Sequence, residues 1–200
     1  MSWRHDSLAE VWQAICRDAG LTAHLKQHAV EFPAGNFRRI SDVYCRGVQG
    51  DMPVHVDVVV TSTVHSHKGR FEVAGPGVAV AREERRKLHE WGEEGLADCC
   101  ARLVPVALES QGRCGDLAQQ ELSRLARMKG TILAGDPTAA NAVARASIRR
   151  WRRWIAVTLQ KGNAAMVMAA LGQPQPAAVD GDLLQAAGDV HSTPLWALSG

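Results

Sequence analysis

Two aspartates interrupt segments of the chain that otherwise have the residue pattern of β-strands. Asp42 lies in residues 37–44 (FRRISDVY), and Asp57 lies in residues 54–60 (VHVDVVV). The two segments are close enough in sequence to form a hairpin. A buried carboxylate is unfavourable unless it is paired, and two neighbouring carboxylates repel each other unless a cation lies between them. The pair therefore indicates a divalent-metal site, a chemistry that suits hydrolysis of phosphodiester bonds.

A basic segment towards the C-terminal end is the second candidate for function. Arginines neutralise phosphates and tryptophans stack on bases, so the segment indicates contact with nucleic acid. On a helix most of these arginines share one face, while Trp151 and Trp154 can point to the core. An amphipathic helix packed on the domain is therefore the alternative interpretation. The arginines are Arg145, Arg149, Arg150, Arg152 and Arg153.

The composition is that of an ordinary globular protein. The chain has 200 residues, of which 46% are hydrophobic and 22% charged, and its net charge of +2 is too small to indicate a polyanionic partner by itself. Five cysteines without a C-x-x-C pair are typical of a reduced intracellular protein. The sequence has neither a signal peptide nor an apolar run of about 18 residues. We expect a cytoplasmic or nuclear protein without a membrane partner, and a homodimer is left open.

The predicted order of elements is α-β-β-β-α-β-α with a helical extension, which indicates an α/β fold with a small mixed β-sheet flanked by helices. Proline at position 105 favours an edge position or a bulge in the last strand. We predict helices over residues 7–19, 78–99, 117–129 and 137–171, the last divided by the basic segment, and strands over 21–32, 37–44, 54–60 and 101–108.

Three regions follow from this order. Residues 1–134 are predicted to form the α/β core, residues 135–171 a basic helical extension, and residues 172–200 a disordered tail rich in Pro, Ala, Gly and Asp. Residues 65–77 are polar and glycine-rich and are predicted to form a loop.

Four motifs in this order resemble a known family. The chain resembles the core of the restriction-endonuclease-like PD-(D/E)xK nuclease superfamily, with closer similarity to the nuclease-like C-terminal domain of reverse-transcriptase-bearing retroelement polyproteins. The resemblance covers roughly residues 4–165. The motifs are residues 4–8 (RHDSL), 38–43 (RRISDV), 56–62 (VDVVVTS) and 103–112 (LVPVALESQG).

The resemblance implies a nuclease that uses Mg²⁺ or Mn²⁺ and acts on DNA or another nucleic acid. Asp42 matches the aspartate of the PD motif and Asp57 the acidic residue of (D/E)xK. The lysine of that motif, which orients or helps to deprotonate the attacking water, is replaced by Val59. Some members supply this lysine from the following helix, which makes Lys87 the candidate here. Glu10 on the first helix matches the additional acidic ligand of some members.

Each candidate also has a purely structural interpretation. Asp42 can end a strand and cap a turn, and Asp57 can pair with an arginine such as Arg38 or Arg39. Lys87 can be one more solvated charge in the run from residue 82 to 87. Glu10 can complete a capping box with a serine at position 7.

Polar residues that follow a core strand often line a cleft. Glu109, at the end of the last strand, is therefore a candidate to contact phosphate or a metal-bound water, although an ordinary turn also explains it. Three histidines near the proposed site, His55, His65 and His67, are predicted to be solvated, although His65 and His67 could bind a transition metal. His5, in the first motif, is interpreted as the remnant of a zinc motif without partners.

Three functional hypotheses remain. The first is a metal-dependent nuclease-like domain, in which Asp42 and Asp57 hold the metal and Lys87 orients the water. The second is a catalytically decayed module that binds nucleic acid or protein for a retroelement machine, which Val59 favours. The third is a structural domain in which the two aspartates only form ion pairs.

Overall fold

A four-stranded mixed sheet lies at the centre of the protein in its computed structural model. The structure describes residues 3–26, 29–31, 38–47, 52–67, 70–92 and 101–172. The predicted tail beyond residue 172 and the end of the predicted helix 78–99 lie outside the described residues. The helices are α1 (Trp3–Asp18), α2 (Val78–Trp91), α3 (Asp116–Leu133) and α4 (Pro137–Ala170). The strands are β1 (Thr22–Leu25), β2 (Ala29–Glu31), β3 (Arg38–Ile40), β4 (Val43–Arg46), β5 (Val54–Thr61), β6 (Val64–His67), β7 (Arg70–Val73) and β8 (Arg102–Glu109).

The strand order of the central sheet is β1-β4-β5-β8, and the predicted α/β class is confirmed. Strands β1, β4 and β5 pair antiparallel, whereas β8 pairs parallel with β5. A parallel partner requires a crossover connection, and α2 lies in that connection. Pro105 lies in β8 at the edge of this sheet, as predicted, where its missing N–H breaks no ladder.

The two faces of the sheet carry different side chains because successive strand residues alternate. Val54, Val56 and Val58 of β5 belong to the apolar core that the sheet forms with α1, α3 and α4. His55 and Asp57 point to the other face, where Lys87 and Trp91 of α2 meet them. The core includes Leu8, Trp12 and Ile15 of α1, Leu122 and Leu125 of α3, and Trp151, Ile155 and Leu159 of α4. The helix predicted as an extension thus packs on the same core as the sheet.

Helix α1 begins earlier than the sequence predicts. It starts at Trp3, so Ser7 and Glu10 both lie inside it, and the predicted capping box is wrong. Helix α4 also differs, because it runs without a break from Pro137 to Ala170, capped by Asp136. No helix among the described residues is long and apolar enough to cross a membrane.

Predictions for two strands and one loop are also corrected. The segment 21–32, predicted as one strand, contains β1 and β2, which pair with different strands, β4 and β3. The segment 37–44 is divided, since β3 ends at Ile40 and β4 begins at Val43, with Ser41 and Asp42 between them. The predicted loop 65–77 contains the antiparallel hairpin of β6 and β7, which pairs Val64 with Val73. Polar composition misled the prediction there, because an antiparallel ladder needs no apolar face of its own to form hydrogen bonds.

The end of α1 is fastened to the last two helices by one carboxylate. Asp18 lies 2.7 Å from Lys129 Nζ and accepts a hydrogen bond of 2.8 Å from the Nε1 of Trp151, and it also pairs with Arg150. Burial opposes ionisation of Asp18, but the hydrogen bonds and the two cations outweigh it, so its pKa lies below the usual value. The carboxylate therefore stabilises the contact of α1 with α3 and α4.

We expect Asp18→Asn to lower the free energy of unfolding by about 2 kcal/mol, because Lys129 and Arg150 lose their counter-charge. Because the folded-state pKa of Asp18 is lowered, this stabilisation is present above the unfolded pKa and is lost as the pH falls through the folded pKa. The difference between wild type and variant should therefore shrink below about pH 4. Urea denaturation at several pH values measures this difference in the free energy of unfolding.

Asp136→Asn is the matched control, since Asn caps a helix as well as Asp does. Equal stability losses in the two variants would contradict the role assigned to Asp18.

A second carboxylate joins α2 to α3. The buried side chain of Glu84 accepts a hydrogen bond of 2.9 Å from the backbone N–H of Leu117, in the first turn of α3. Gly115 makes room for this contact, because a Cβ at that position would lie 2.1 Å from the Glu84 Oε1 atom. The glycine is needed here for space and not for an unusual backbone angle, since its φ is −64°.

We expect Gly115→Ala to lower the free energy of unfolding by about 2 kcal/mol, because the methyl group displaces the Glu84 carboxylate from the helix end. Gly135→Ala is the control, since a Cβ there meets nothing within 4 Å, and it should be neutral or stabilising. Thermal unfolding followed by circular dichroism compares the two, and equal midpoints would contradict the steric role.

Candidate active site

Asp42 and Asp57 lie side by side on neighbouring strands. β4 and β5 pair Val43 with Val56, and one further step in the same register sets Asp42 opposite Asp57. Both residues are buried, with 5% and 8% of their surface exposed. Directly opposed residues of an antiparallel pair have Cβ atoms about 5 Å apart. The structure thus brings together the two carboxylates that the sequence singled out.

The carboxylate of Asp57 is bound by two side chains of α2. Lys87 Nζ lies 2.9 Å from each carboxylate oxygen, and the Nε1 of Trp91 donates a hydrogen bond of 2.8 Å to Oδ2. Burial raises the pKa of Asp57 above its usual value, the Lys87 charge and the two hydrogen bonds oppose this rise, and the charge of Asp42 adds to it. Among the described side chains, the cation paired with Asp57 is therefore Lys87, and the side chains of Arg38 and Arg39 lie outside the described residues.

Asp42 completes the ladder just before β4 begins. Its Oδ2 atom accepts a hydrogen bond of 2.8 Å from the backbone N–H of Val58. The Nε2 atom of His5 lies 3.1 Å from the same oxygen and 3.0 Å from the carbonyl oxygen of Val58. A carboxylate and an imidazole thus satisfy the backbone groups of Val58 that a longer β4 would have paired.

His5 is the residue of this site that the sequence analysis missed. Its hydrogen bond to Asp42 raises the pKa of the imidazole, which burial partly opposes and Asp6 reinforces. The only sequence signal was its position in the first motif, beside Asp6. A contact between the first turn of a helix and a distant strand cannot be read from spacing, so His5 was interpreted as having no partner.

The start of α1 is held in place by α4. Arg4 donates a hydrogen bond of 2.9 Å to the side-chain oxygen of Asn163, whose amide nitrogen donates one of 2.7 Å to the carbonyl oxygen of Ser110. Gly162 permits this approach, since a Cβ on it would lie 2.5 Å from the Cγ atom of Arg4. Because His5 follows Arg4, these contacts fix the position of the imidazole.

Glu109 lies away from the carboxylate pair. β8 pairs Pro105 with Asp57, and Glu109 is four residues further along the strand, roughly 13 Å from that point. Its buried carboxylate accepts a hydrogen bond of 3.0 Å from the backbone N–H of Gly77 and lies 3.5 Å from Arg113. Glu109 thus binds the residue that precedes α2.

Glu10 is not brought to the pair either. It is exposed on α1. Among the described residues, no three His, Cys, Asp or Glu side chains are grouped so as to hold a metal ion. The described residues therefore provide two carboxylates for a cation, those of Asp42 and Asp57, and not the three acidic ligands that were predicted.

His55 lies behind the site, and its predicted solvation is wrong. It is 4% exposed, and its Nδ1 atom lies 3.0 Å from the Oγ atom of Ser41. Its ring packs between those of Tyr44 and Trp91, at centroid distances of 5.1 and 5.6 Å. These contacts fix Ser41, the residue before Asp42, and Trp91, which binds Asp57.

The basic segment divides between the surface and the interior. Arg150 pairs with Asp18 and lies over the ring of Trp154, whereas Trp151 is completely buried. Trp151 is therefore not available to stack on bases. The exposed members are Arg145, Arg149, Arg152 and Arg153.

Comparison with known proteins adds no family to this description. No protein-family model matches the chain, and no curated protein is similar to it in sequence.

We expect Lys87→Met to lower the free energy of unfolding by about 3 kcal/mol, because it leaves the Asp57 carboxylate buried without a cation. Adding Asp57→Asn should recover part of this loss, with a coupling energy of about 1–3 kcal/mol in a double-mutant cycle measured by urea denaturation. Arg85→Met is the control, since Arg85 is exposed on the same helix, and it should change stability by less than about 0.5 kcal/mol. Additive effects of the Lys87 and Asp57 changes would contradict the ion pair.

Proposed function

We propose that this protein is a nuclease-like domain that hydrolyses phosphodiester bonds of nucleic acid with the help of a divalent metal. One observation supports the proposal: Asp57, which is paired with Lys87, lies opposite Asp42 in the register of β4 and β5. Val59 occupies the position of the lysine in the (D/E)xK motif. Lys87 of α2 would replace that lysine, as a lysine of the following helix does in some members of the superfamily. The motif resemblance adds that the domain derives from a retroelement.

The carboxylate oxygens of Asp42 and Asp57 are the type of ligand that a hard divalent cation prefers. Two carboxylates lie on neighbouring strands, and the charge of Asp42 makes ionisation of Asp57 less favourable, a repulsion that a cation relieves. Carboxylate oxygens have about four lone-pair positions between them, so the contacts described above do not exhaust either group. Asp42 and Asp57 would hold Mg²⁺ or Mn²⁺. A bound metal would lower the pKa of a coordinated water and offset charge on the phosphate.

Each residue of the site has a role in this proposal. The Nζ atom of Lys87 donates to the attacking water or to a non-bridging phosphate oxygen. Hydrolysis forms a bond between the water oxygen and phosphorus, breaks one ester P–O bond, and transfers the water proton to solvent, while the leaving oxygen is protonated. His5 is a positioning residue that holds the Asp42 carboxylate against β5. The exposed arginines of α4 bind the nucleic-acid backbone.

A nucleic-acid-binding module without hydrolytic activity is the second candidate. The observation that favours it is that Lys87 and Trp91 already bind both oxygens of Asp57, as in a structural ion pair. Val59 at the motif position favours it as well. The two candidates share the basic surface and differ in the use made of the carboxylates.

We expect the protein to cleave a labelled plasmid or a single-stranded oligonucleotide in the presence of Mn²⁺, and a chelator to abolish cleavage. Asp42→Asn and Asp57→Asn should each lower the rate by roughly 10²–10³, the scale of losing one transition-state contact. Glu10→Gln is the control, since Glu10 lies apart from the pair, and it should keep the wild-type rate. A circular dichroism spectrum of every variant checks that it is folded, so that the cleavage rates of folded proteins are compared.

The other outcomes decide between the alternatives. Cleavage that persists in Asp57→Asn contradicts the proposed site. Absence of cleavage by wild type, together with salt-sensitive binding of the oligonucleotide, supports the binding module. Absence of both supports a structural domain.

A further inference from the structure

A groove of about 630 Å³ lies at the edge of the sheet, between the start of β8 and helix α3. We call it the arginine groove, because four arginines from three different elements line it, with Asp116 and Glu121 as the acidic lining residues. The sequence analysis singled out only one of the four. They are Arg102 of β8, Arg124 and Arg127 of α3, and Arg152 of α4.

A buried carboxylate orders one wall of the arginine groove. Glu121 is 4% exposed and lies 2.8 Å from a guanidinium nitrogen of both Arg102 and Arg124. Burial opposes ionisation of Glu121, but the two arginines outweigh it and keep its pKa below the usual value. Glu121 therefore stays ionised and holds both guanidinium groups in place, so that less side-chain entropy is lost when they bind a ligand.

The charge of the groove remains positive after this pairing. Four arginines face two carboxylates, and Arg127 and Arg152 are exposed. Guanidinium groups bind phosphates through paired N–H donors, and several of them spaced along a groove suit an extended polyanion better than a single small anion. The groove is thus complementary in charge to a chain of phosphates.

Arg152 connects the groove with the rest of the basic surface. On the regular helix α4, Arg145, Arg149, Arg152 and Arg153 lie within about 100° of one another at 3.6 residues per turn, and all four are exposed. A ligand that follows this helix face therefore reaches Arg152 and, through it, Arg127 and Arg102. The continuity favours one long ligand over two separate ones.

We infer that the arginine groove binds the phosphodiester backbone of a nucleic-acid strand. The inference rests on the nucleic-acid partner named in the proposed function and extends the contact surface from α4 to α3 and β8. Arg102 occupies the face of β8 that turns towards α3, whereas Lys87 and Asp57 lie on the face that α2 covers. The groove therefore contributes to affinity and not to bond cleavage.

The test is binding of a fluorescein-labelled single-stranded oligonucleotide, followed by anisotropy in EDTA at several salt concentrations. Arg127→Gln with Arg152→Gln removes two exposed charges and leaves the Glu121 pairs intact. We expect this double variant to bind roughly tenfold more weakly and the slope of log K against log salt to fall by about 1.4, or 0.7 for each lost phosphate contact.

Arg46→Gln with Arg85→Gln is the matched control, because it removes the same charge from exposed positions outside the groove. Equal weakening by both double variants, unchanged binding by the groove variant, or no binding by wild type would each overturn the inference. Competition by polyglutamate as strong as that by unlabelled oligonucleotide would also overturn it, in favour of an acidic polypeptide.

Since EDTA removes any divalent metal, failure of the nuclease proposal leaves this result unaffected. Binding through the groove without cleavage in Mn²⁺ would contradict the nuclease and support the groove. Cleavage by wild type in Mn²⁺, together with unchanged binding by the groove variant, would support the nuclease and contradict the groove.

Discussion

Burial of Asp42 and Asp57 at facing positions of the sheet is the constraint on which the arrangement of the site depends. The register of β4 and β5 sets the two carboxylates opposite each other in a buried position, where neither is stable without a compensating partner. Helix α2 supplies Lys87 and Trp91 from one side of the sheet. Helix α1 supplies His5 at the open end of the ladder, and α4 fixes that end of α1 through Arg4 and Asn163. The positions of three helices are thus coupled to one pair of acids.

The N–H donors that stabilise the buried acids also affect how Asp42 and Asp57 could bind a metal ion. In the folded protein the acids are already bound by N–H donors, so a metal ion would have to share or replace contacts that stabilise the fold. An active nuclease and a binding module could have the same residues here. They would differ in whether a metal ion shares or replaces the N–H contacts of the two acids. Lys87 stabilises Asp57 in both cases, and only in the first would it also donate to a water or a phosphate.

The sequence was sufficient for the features that depend on local pattern. An acid inside an apolar alternation marked Asp57, the hairpin followed from two nearby strands, and the lack of an N–H placed Pro105 at a sheet edge. The rest depended on contacts between distant residues. His5 meets Asp42, Glu84 caps α3, and Arg150 pairs with Asp18, in each case through side chains whose meeting is decided by helix packing. Arg150 shows the limit most clearly, because the other arginines of its segment are exposed, whereas its own partner, Asp18, lies at the far end of α1.

The parallel pairing of β5 with β8 has a consequence for the order in which the chain folds. It joins residues about fifty positions apart, such as Val54 and Arg102, whereas β4 and β5 are joined by a short connection. Loop-closure entropy delays the distant pairing, while hairpins close within microseconds. We therefore expect the two acids to come together early, before the crossover holds the helix that carries Lys87 in place. In this order, Lys87 compensates the buried charge of Asp57 late in folding, and closure of the sheet by β8 completes the electrostatic environment of the site.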